Sequence, residues 1–468
     1  MSPLPPGEGQ GEGIPTMWSA RVIAIAALTG LLLSPLAAAA LGPQATQETL
    51  PNGAVLLVSE QRNLPLVLIR VVLDAGSRRD PMGKGGLANL TAHLVTEGTT
   101  TRSAQQIKDQ IDFIGASLDA DADQDYAVLS LQVLRKDLDT GLDLLADILL
   151  HPAFKADELT RQRESVLATL RGQDDDPTTV AQKAFQRTLF GDTPYGHPVD
   201  GTPASVAPLS RADVQHFYAS YYRPAGAAVV VVGDISTDEV RPALMRALAA
   251  WDGTPPPPFV YPPFTPPAAQ TVRIDRPVTQ AGIVLGDLGV ARDNPDYETI
   301  AVMNYILGGG GFSSRLMDNI RTQAGLAYSV GSFFAAGKSP GPFEIVMQTK
   351  NASIADAVAR AHQEVDRIRD EAVTDDELQE AKRYLTGSYP LRLDSNAKIA
   401  DFIAQTWFYG LGLNYADVYI ARVNAVTGDD VSRVARQYLH PDRFIEVVVT
   451  AGETSAPPPP AAPHPGTP

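Results

Sequence analysis

The amino-acid sequence predicts an α+β protein of two homologous domains, each a sheet with helices packed against it, joined by a proline-rich linker. Three observations carry this. Stretches rich in β-branched residues mix with longer stretches of helical periodicity in both halves of the chain. Eight prolines crowd the segment Thr254 to Pro267, between two segments of about 200 residues, each large enough for a domain. The halves also share landmarks. Lys155-Ala-Asp-Glu158-Leu159 opens a polar–apolar helix in the first, as Thr374-Asp-Asp-Glu377-Leu378 does in the second. Each half ends on an aromatic-x-x-Pro turn and an apolar strand: Tyr221 to Pro224 then Val229 to Val232, and Tyr438 to Pro441 then Val447 to Val449. Glu158 precedes Pro224 by 66 positions and Glu377 precedes Pro441 by 64, an agreement that favours duplication.

In chain order, residues 1–40 read as an export signal. Met17 offers an alternative start: Arg21 and an apolar run from Val22 to Leu33 follow it, then Pro35 and the small residues Ala37 to Ala40. The run from Val22 to Leu41 is also long enough for an uncleaved membrane anchor, but Pro35 and the alanines favour cleavage, with no stable membrane insertion afterwards. The N-terminal domain is placed at 45–250, with strands at Leu66 to Leu73 and Ala127 to Val133 and helices at Ser103 to Ile114, Leu138 to Leu150 and Asp157 to Arg171. The linker takes 251–268. The C-terminal domain, 269–452, has strands at Gly282 to Gly286 and Phe343 to Met347 and helices at Asn294 to Leu307 and Ser353 to Asp370. Residues 453–468 form a proline-rich tail read as disordered.

Several function classes fall away on composition. A formal net charge of −16, with no cluster of Lys and Arg, argues against nucleic-acid and anionic-membrane partners. Cys is absent, which excludes disulfides, thiolate metal sites and cysteine nucleophiles. A cysteine-free exported chain suits a bacterial periplasm.

Two segments carry chemistry. In Lys84-Gly-Gly-Leu-Ala-Asn89-Leu-Thr-Ala92-His93-Leu-Val-Thr-Glu97-Gly98-Thr99, leucines 87, 90 and 94 are spaced to bury one helical face, leaving Asn89 and His93 on another. The second segment, Gly308-Gly309-Gly310-Gly311-Phe-Ser-Ser-Arg315-Leu316, leads into Arg321 and, seven residues on, Tyr328 within Gly-Leu-Ala-Tyr-Ser. Together these resemble the pitrilysin/insulinase family of zinc peptidases, whose fold is the mostly antiparallel one of LuxS and the processing peptidases. The similarity runs from about Glu48 to about Gly452. A weaker match, Leu189 to Thr202, is similar to the family's turn before the last helix of its first domain, with His197 structural.

The resemblance implies both a lost site and a kept one. Where the family has His-x-x-Glu-His, this chain has Asn89, Ala92 and His93; where a later helix supplies a glutamate ligand, it has Ala168 and Thr169. A catalytic zinc needs about three protein ligands and an open position. One histidine does not supply them, so no metal or cofactor is expected in this chain; Glu97, one turn beyond His93, is a weak second ligand. By resemblance, Arg321 grips the substrate backbone and Tyr328 donates to the oxyanion. The blander alternatives make Arg321 a helix cap and Tyr328 a half-buried strand residue. The glycines 308 to 311 read as a flexible loop at the mouth of a substrate chamber, since no Gly-Lys-Ser/Thr follows for phosphate.

The family divides its active site between halves or between chains, and a bacterial branch similar to the mitochondrial processing peptidase uses two chains. The expectation is thus a non-catalytic subunit, inactive alone. It would bind peptide substrate and complete the active site of a homologous His-x-x-Glu-His partner that carries the zinc. The alternative is a structural or peptide-binding scaffold with no peptidase activity.

Overall fold

The computed structural model describes residues 42–452, so the readings of 1–40 as a signal and of 453–468 as a tail lie outside the described residues. Six strands form the first sheet: β1 (Thr46–Thr49), β2 (Val55–Glu60), β3 (Leu66–Leu73), β4 (Ser117–Ala122), β5 (Ala127–Leu134) and β6 (Ala228–Gly233), in the order β1-β2-β6-β3-β5-β4. Five form the second: β7 (Gln270–Asp275), β8 (Gln280–Leu288), β9 (Ala327–Phe334), β10 (Pro342–Lys350) and β11 (Ile445–Thr450), in the order β7-β11-β8-β10-β9. Adding five to each number in β2-β6-β3-β5-β4 gives the second sheet. The pairing repeats as well: β2–β6 and β7–β11 are parallel and every other pair is antiparallel. The duplication expected from the landmarks is therefore present in the topology.

Around the first sheet lie α1 (Leu87–Val95), α2 (Ala104–Phe113), α3 (Leu138–Leu150), α4 (Ala156–Gln173), α5 (Pro177–Phe190), α6 (Arg211–Tyr221) and α7 (Thr237–Ala247). The second half adds α8 (Tyr297–Asn304), α9 (Ile354–Asp370), α10 (Asp375–Gly387), α11 (Asn396–Tyr409), α12 (Tyr415–Ala425) and α13 (Gly428–Tyr438). The turn at Leu189 to Thr202 is followed by α6, β6 and α7, so it does not immediately precede the last helix of its half. By chain order and sheet position, α8 stands to the second sheet as α1 to the first, and α10 as α4.

The strand β6 is buried along its whole length, and its alternation explains why Val229 to Val232 is an unbroken apolar run. Val229 and Val231 enter the main core of the first half, while Val230 and Val232 pack with Leu68 and Val72 against Ile399, Ile403 and Phe408 of α11. The second half mirrors this. Val284, Val447 and Val449 pack against Val180, Phe185 and Leu189 of α5. Each half thus lends one helix to cover the other's sheet. Two glycines on β8 admit α5: a Cβ at Gly282 would lie 2.5 Å from the Pro177 backbone, and one at Gly286 would lie 3.0 Å from the Phe185 ring.

The linker after Trp251 is pinned rather than loose. Trp251 is buried and its indole N–H donates to the Tyr222 carbonyl at 3.2 Å. Arg79 donates to the Pro257 carbonyl at 2.9 Å, and the Tyr261 and Phe264 rings pack on Tyr195 and Phe190, with centroids 5.3 and 5.6 Å apart. Deeper in, the buried Asp125 carboxylate joins the halves by accepting from the Tyr195 hydroxyl (2.6 Å), the Lys338 backbone N–H (2.7 Å) and the Tyr409 hydroxyl (3.1 Å).

Candidate functional site

The helix α1 starts from Gly86 at φ +95°, where Asp80 accepts from the backbone N–H of Gly86 (2.8 Å) and Ala88 (2.7 Å). Leu87, Leu90 and Leu94 are buried, which fixes the rotation of the helix. Each residue at a metal-motif position then has a local explanation. Asn89 is 6% exposed and its amide donates to Asp200 at 3.4 Å; Asp200 also accepts from Gln173 at 3.2 Å, and Gln173 from Lys183 at 2.6 Å. Ala92 is fully buried. His93 is partly exposed, with Nε2 3.2 Å from the Asp121 carboxylate on β4. Thr169 and Ala168 lie exposed on α4. Glu97 is buried and accepts from Gln162 (2.7 Å) and Arg161, so its carboxylate is spoken for.

This donor set does not fit zinc. It offers one imidazole, an amide that binds Zn²⁺ poorly, a methyl group and an exposed hydroxyl. Among the described residues no group of three or more His, Asp or Glu side chains is arranged to hold a metal ion.

The second segment is built differently. Past Asn304 the helix widens through Tyr305–Gly309, and Gly308 is buried there: a Cβ on it would lie 2.5 Å from the Ser332 hydroxyl of β9. Gly309 and Gly311 are exposed, Gly311 at φ +58°. The glycine run is therefore a wound turn, seated at one end against β9, and not the loop free along its length that the composition suggests. Arg315 next holds Glu377 in a two-pronged contact (2.7 and 3.0 Å), which ties this turn to the start of α10.

Tyr328 sits on β9, an edge strand, at an irregularity. Gln348 of β10 pairs with Ser329 and Thr349 with Ala327, so Tyr328 is the extra residue of a β-bulge. Bulges re-aim side chains, and Tyr328 is 75% exposed. The Arg321 guanidinium lies 5.0 Å from its ring centroid and 4.7 Å from that of Phe312, which is 71% exposed. Phe312, Arg321 and Tyr328 thus form a stack in which two exposed rings position a partly exposed cation. Among the described residues the Arg321 side chain makes no hydrogen bond or ion pair, so it is not a helix cap, and Tyr328 is not half-buried. Phe312 is the member the sequence reading left out; an aromatic residue directly after four glycines was the available signal. No hydrogen bond, ion pair or ring contact among the described residues joins this stack to His93.

Two repeated α+β units, one with a metal-motif helix stripped of donors and the other with an exposed Arg–Tyr stack, define a member of a peptidase fold whose metal-motif positions do not fit zinc. Residues 56–203 match the family described as Insulinase (Peptidase family M16), and residues 208–385 match the Peptidase M16 inactive domain. A crystal structure of a peptidase M16 inactive domain from Pseudomonas fluorescens is 30% identical, with a TM-score of 0.83 over 88% of this chain and 100% of that one. A protease from Helicobacter pylori, 21% identical, shares the fold at a TM-score of 0.80 over 87% of this chain and 100% of its own. An uncharacterized zinc protease of Streptomyces coelicolor is 29% identical over 84% of this chain and 86% of its own length. The chain belongs to the insulinase family, peptidase family M16, and within it is zinc-site-degenerate.

Proposed function

We propose that this chain is the non-catalytic subunit of a heteromeric zinc metallopeptidase, binding peptide and completing the active site of a homologous His-x-x-Glu-His partner. The observation that carries the reading is the Phe312–Arg321–Tyr328 stack, exposed on a chain whose own metal-motif positions hold Asn89, Ala92 and Thr169. In this role Arg321 holds a substrate carbonyl and the Tyr328 hydroxyl donates to the oxyanion that develops on the scissile carbonyl. Neither group moves a proton. The zinc belongs to the partner chain, and export to the periplasm, implied by the N-terminal segment, would place both subunits together.

The test is to tag the chain in its native cell, recover it gently, identify the co-purifying chain and assay chelator-sensitive cleavage of a quenched peptide mixture. Arg321→Ala and Tyr328→Phe should each lower turnover of the complex about ten- to a thousandfold while leaving assembly intact. Unchanged kinetics in both variants would remove the assigned roles. Recovery with an inert assembly and no cleavage would turn the reading toward a scaffold.

A further inference from the structure

A cavity of about 810 Å³ opens in the second half, walled by α8, α10, α11, α12 and the end of β9. Its size falls among ligand pockets, usually ~300–1,000 Å³. Its position is notable on topology alone: α8 and α10 are the repeat equivalents of α1 and α4, so the cavity is walled by the counterparts of the two helices that carry the metal-motif positions in the first half. Its walls combine aromatic and charged side chains. Tyr389 and Tyr419 stack with centroids 4.7 Å apart, and the Arg392 guanidinium lies 5.4 and 5.7 Å from those rings. Arg292 lies 3.9 Å from the Tyr297 ring and 4.9 Å from the Tyr415 ring.

The charge in this cleft runs against that of the whole chain. Its one acidic lining residue, Asp401, is paired with Arg70 at 2.6 Å. Lys398 is taken up by Asp394 and the Leu391 carbonyl. Arg292 is not taken up. Its side chain donates to the Tyr415 hydroxyl at 2.8 Å, no carboxylate of the described residues reaches it within 4.0 Å, and its other N–H groups have no acceptor among those residues. The Tyr415 hydroxyl in turn donates a hydrogen bond to Glu298 (2.7 Å), whose second oxygen accepts from Arg422 (3.3 Å), so the acid behind this array is already occupied. What remains is a guanidinium with spare, fork-shaped donors at the wall of an aromatic cavity.

The geometry points to a binding site for an aromatic carboxylate, a flat ring on a short stem from a –COO⁻ group. The ring would lie among the tyrosines and the carboxylate would take the free edge of Arg292, the bidentate match that arginine makes best. Two sources share this chemistry: the C-terminal Phe, Tyr or Trp of a peptide, and a free aryl acid. The site stands whether or not a peptidase partner exists, because the cleft is made wholly of this chain.

The full chain would be titrated by calorimetry with N-acetyl-phenylalanine, its amide, and a pentapeptide ending in Phe as free acid or amide. Each acid is expected to bind at least tenfold tighter than its amide. Arg292→Gln should abolish that preference. Tyr384→Ala, at a wall residue that is 55% exposed and so tolerant of truncation, should weaken acid and amide alike. A pentapeptide acid binding tighter than N-acetyl-phenylalanine assigns the peptide terminus as the ligand, and the reverse assigns the free acid. Equal binding of acids and amides, no binding at millimolar concentration, or an acid preference that survives Arg292→Gln would overturn the site.

Discussion

Replacing Glu344 by Gln should stabilise this protein, little at acid pH and increasingly as the pH rises toward neutral and above. Glu344 lies on β10, 6% exposed, opposite Gly286 of β8 and Phe333 of β9. Among the described residues its side-chain partner is the Gln182 amide of α5 at 3.4 Å, too long to repay burial of a charge. Burial pushes its carboxyl from 4.5 up to about 7, with Gln182 pulling weakly the other way. The folded form therefore keeps a proton that the unfolded chain gives up. The stability tied to that proton is fully present below about pH 4.5 and is lost as the pH rises through about 7. A gap of roughly 2.5 units at about 1.4 kcal/mol each sets the loss at no more than about 3.5 kcal/mol. Glutamine fills the same space without titrating. Urea unfolding near pH 5, where the loss is below about 1 kcal/mol, should barely separate the variant from the parent, whereas near pH 8 the variant should gain about 1–3 kcal/mol. An equal difference at both pH values, or a variant weaker at pH 8, would refute the assignment of a buried carboxyl ionising at a cost.

Arg315→Ala should cost about 2–3 kcal/mol, read as a lower urea midpoint, because it strips the fork from a part-buried carboxylate. Burial opposes ionisation of Glu377, but Arg315 and the Thr374 cap outweigh it and hold the carboxyl at about 2. That stability is present above about pH 4.5 and disappears as pH falls toward 2, and Arg315→Ala should flatten this acid limb. Phe185→Ala, in the helix lent to the second sheet, should cost about 3–5 kcal/mol. Calorimetry should still show a single transition, since α5 and α11 couple the two halves; two separate transitions would contradict that coupling. The purified chain should hold far less than one zinc and keep its melting temperature in chelator, and a stoichiometric tightly held zinc would disprove the reading of α1.

Much of the fold was legible. Leu66 to Leu73 and Leu138 to Leu150 appear in the structure with the expected ends, because one is a β-branched run and the other a sustained helical stripe. The repeat was visible because its landmarks are local in sequence. The exchange of α5 and α11 was not, since helical periodicity says that a face is buried and never against which sheet. The candidate site divides along the same line. Asn89, Ala92 and Thr169 announce a lost metal site by residue type alone. The exposure of Tyr328 depends on a bulge opposite Thr349, a register between strands that no single segment encodes, and the Arg292 cavity gathers residues more than a hundred positions apart.

The two sites differ in how completely the fold accounts for them, and that difference bears on function. At the metal-motif helix the altered positions are settled, Asn89 hydrogen-bonded and Ala92 packed, and the nearby Glu97 is held by Arg161 and Gln162. Nothing there asks for a ligand. At the glycine turn the accounting fails, because folding alone gives no reason to expose Phe312 and Tyr328 side by side with a cation between them. Single exposed apolar residues are ordinary. A stacked trio beside an edge strand, with its arginine unpaired among the described residues, leaves polar and aromatic groups free to meet a partner, which is what the proposed substrate-holding role needs.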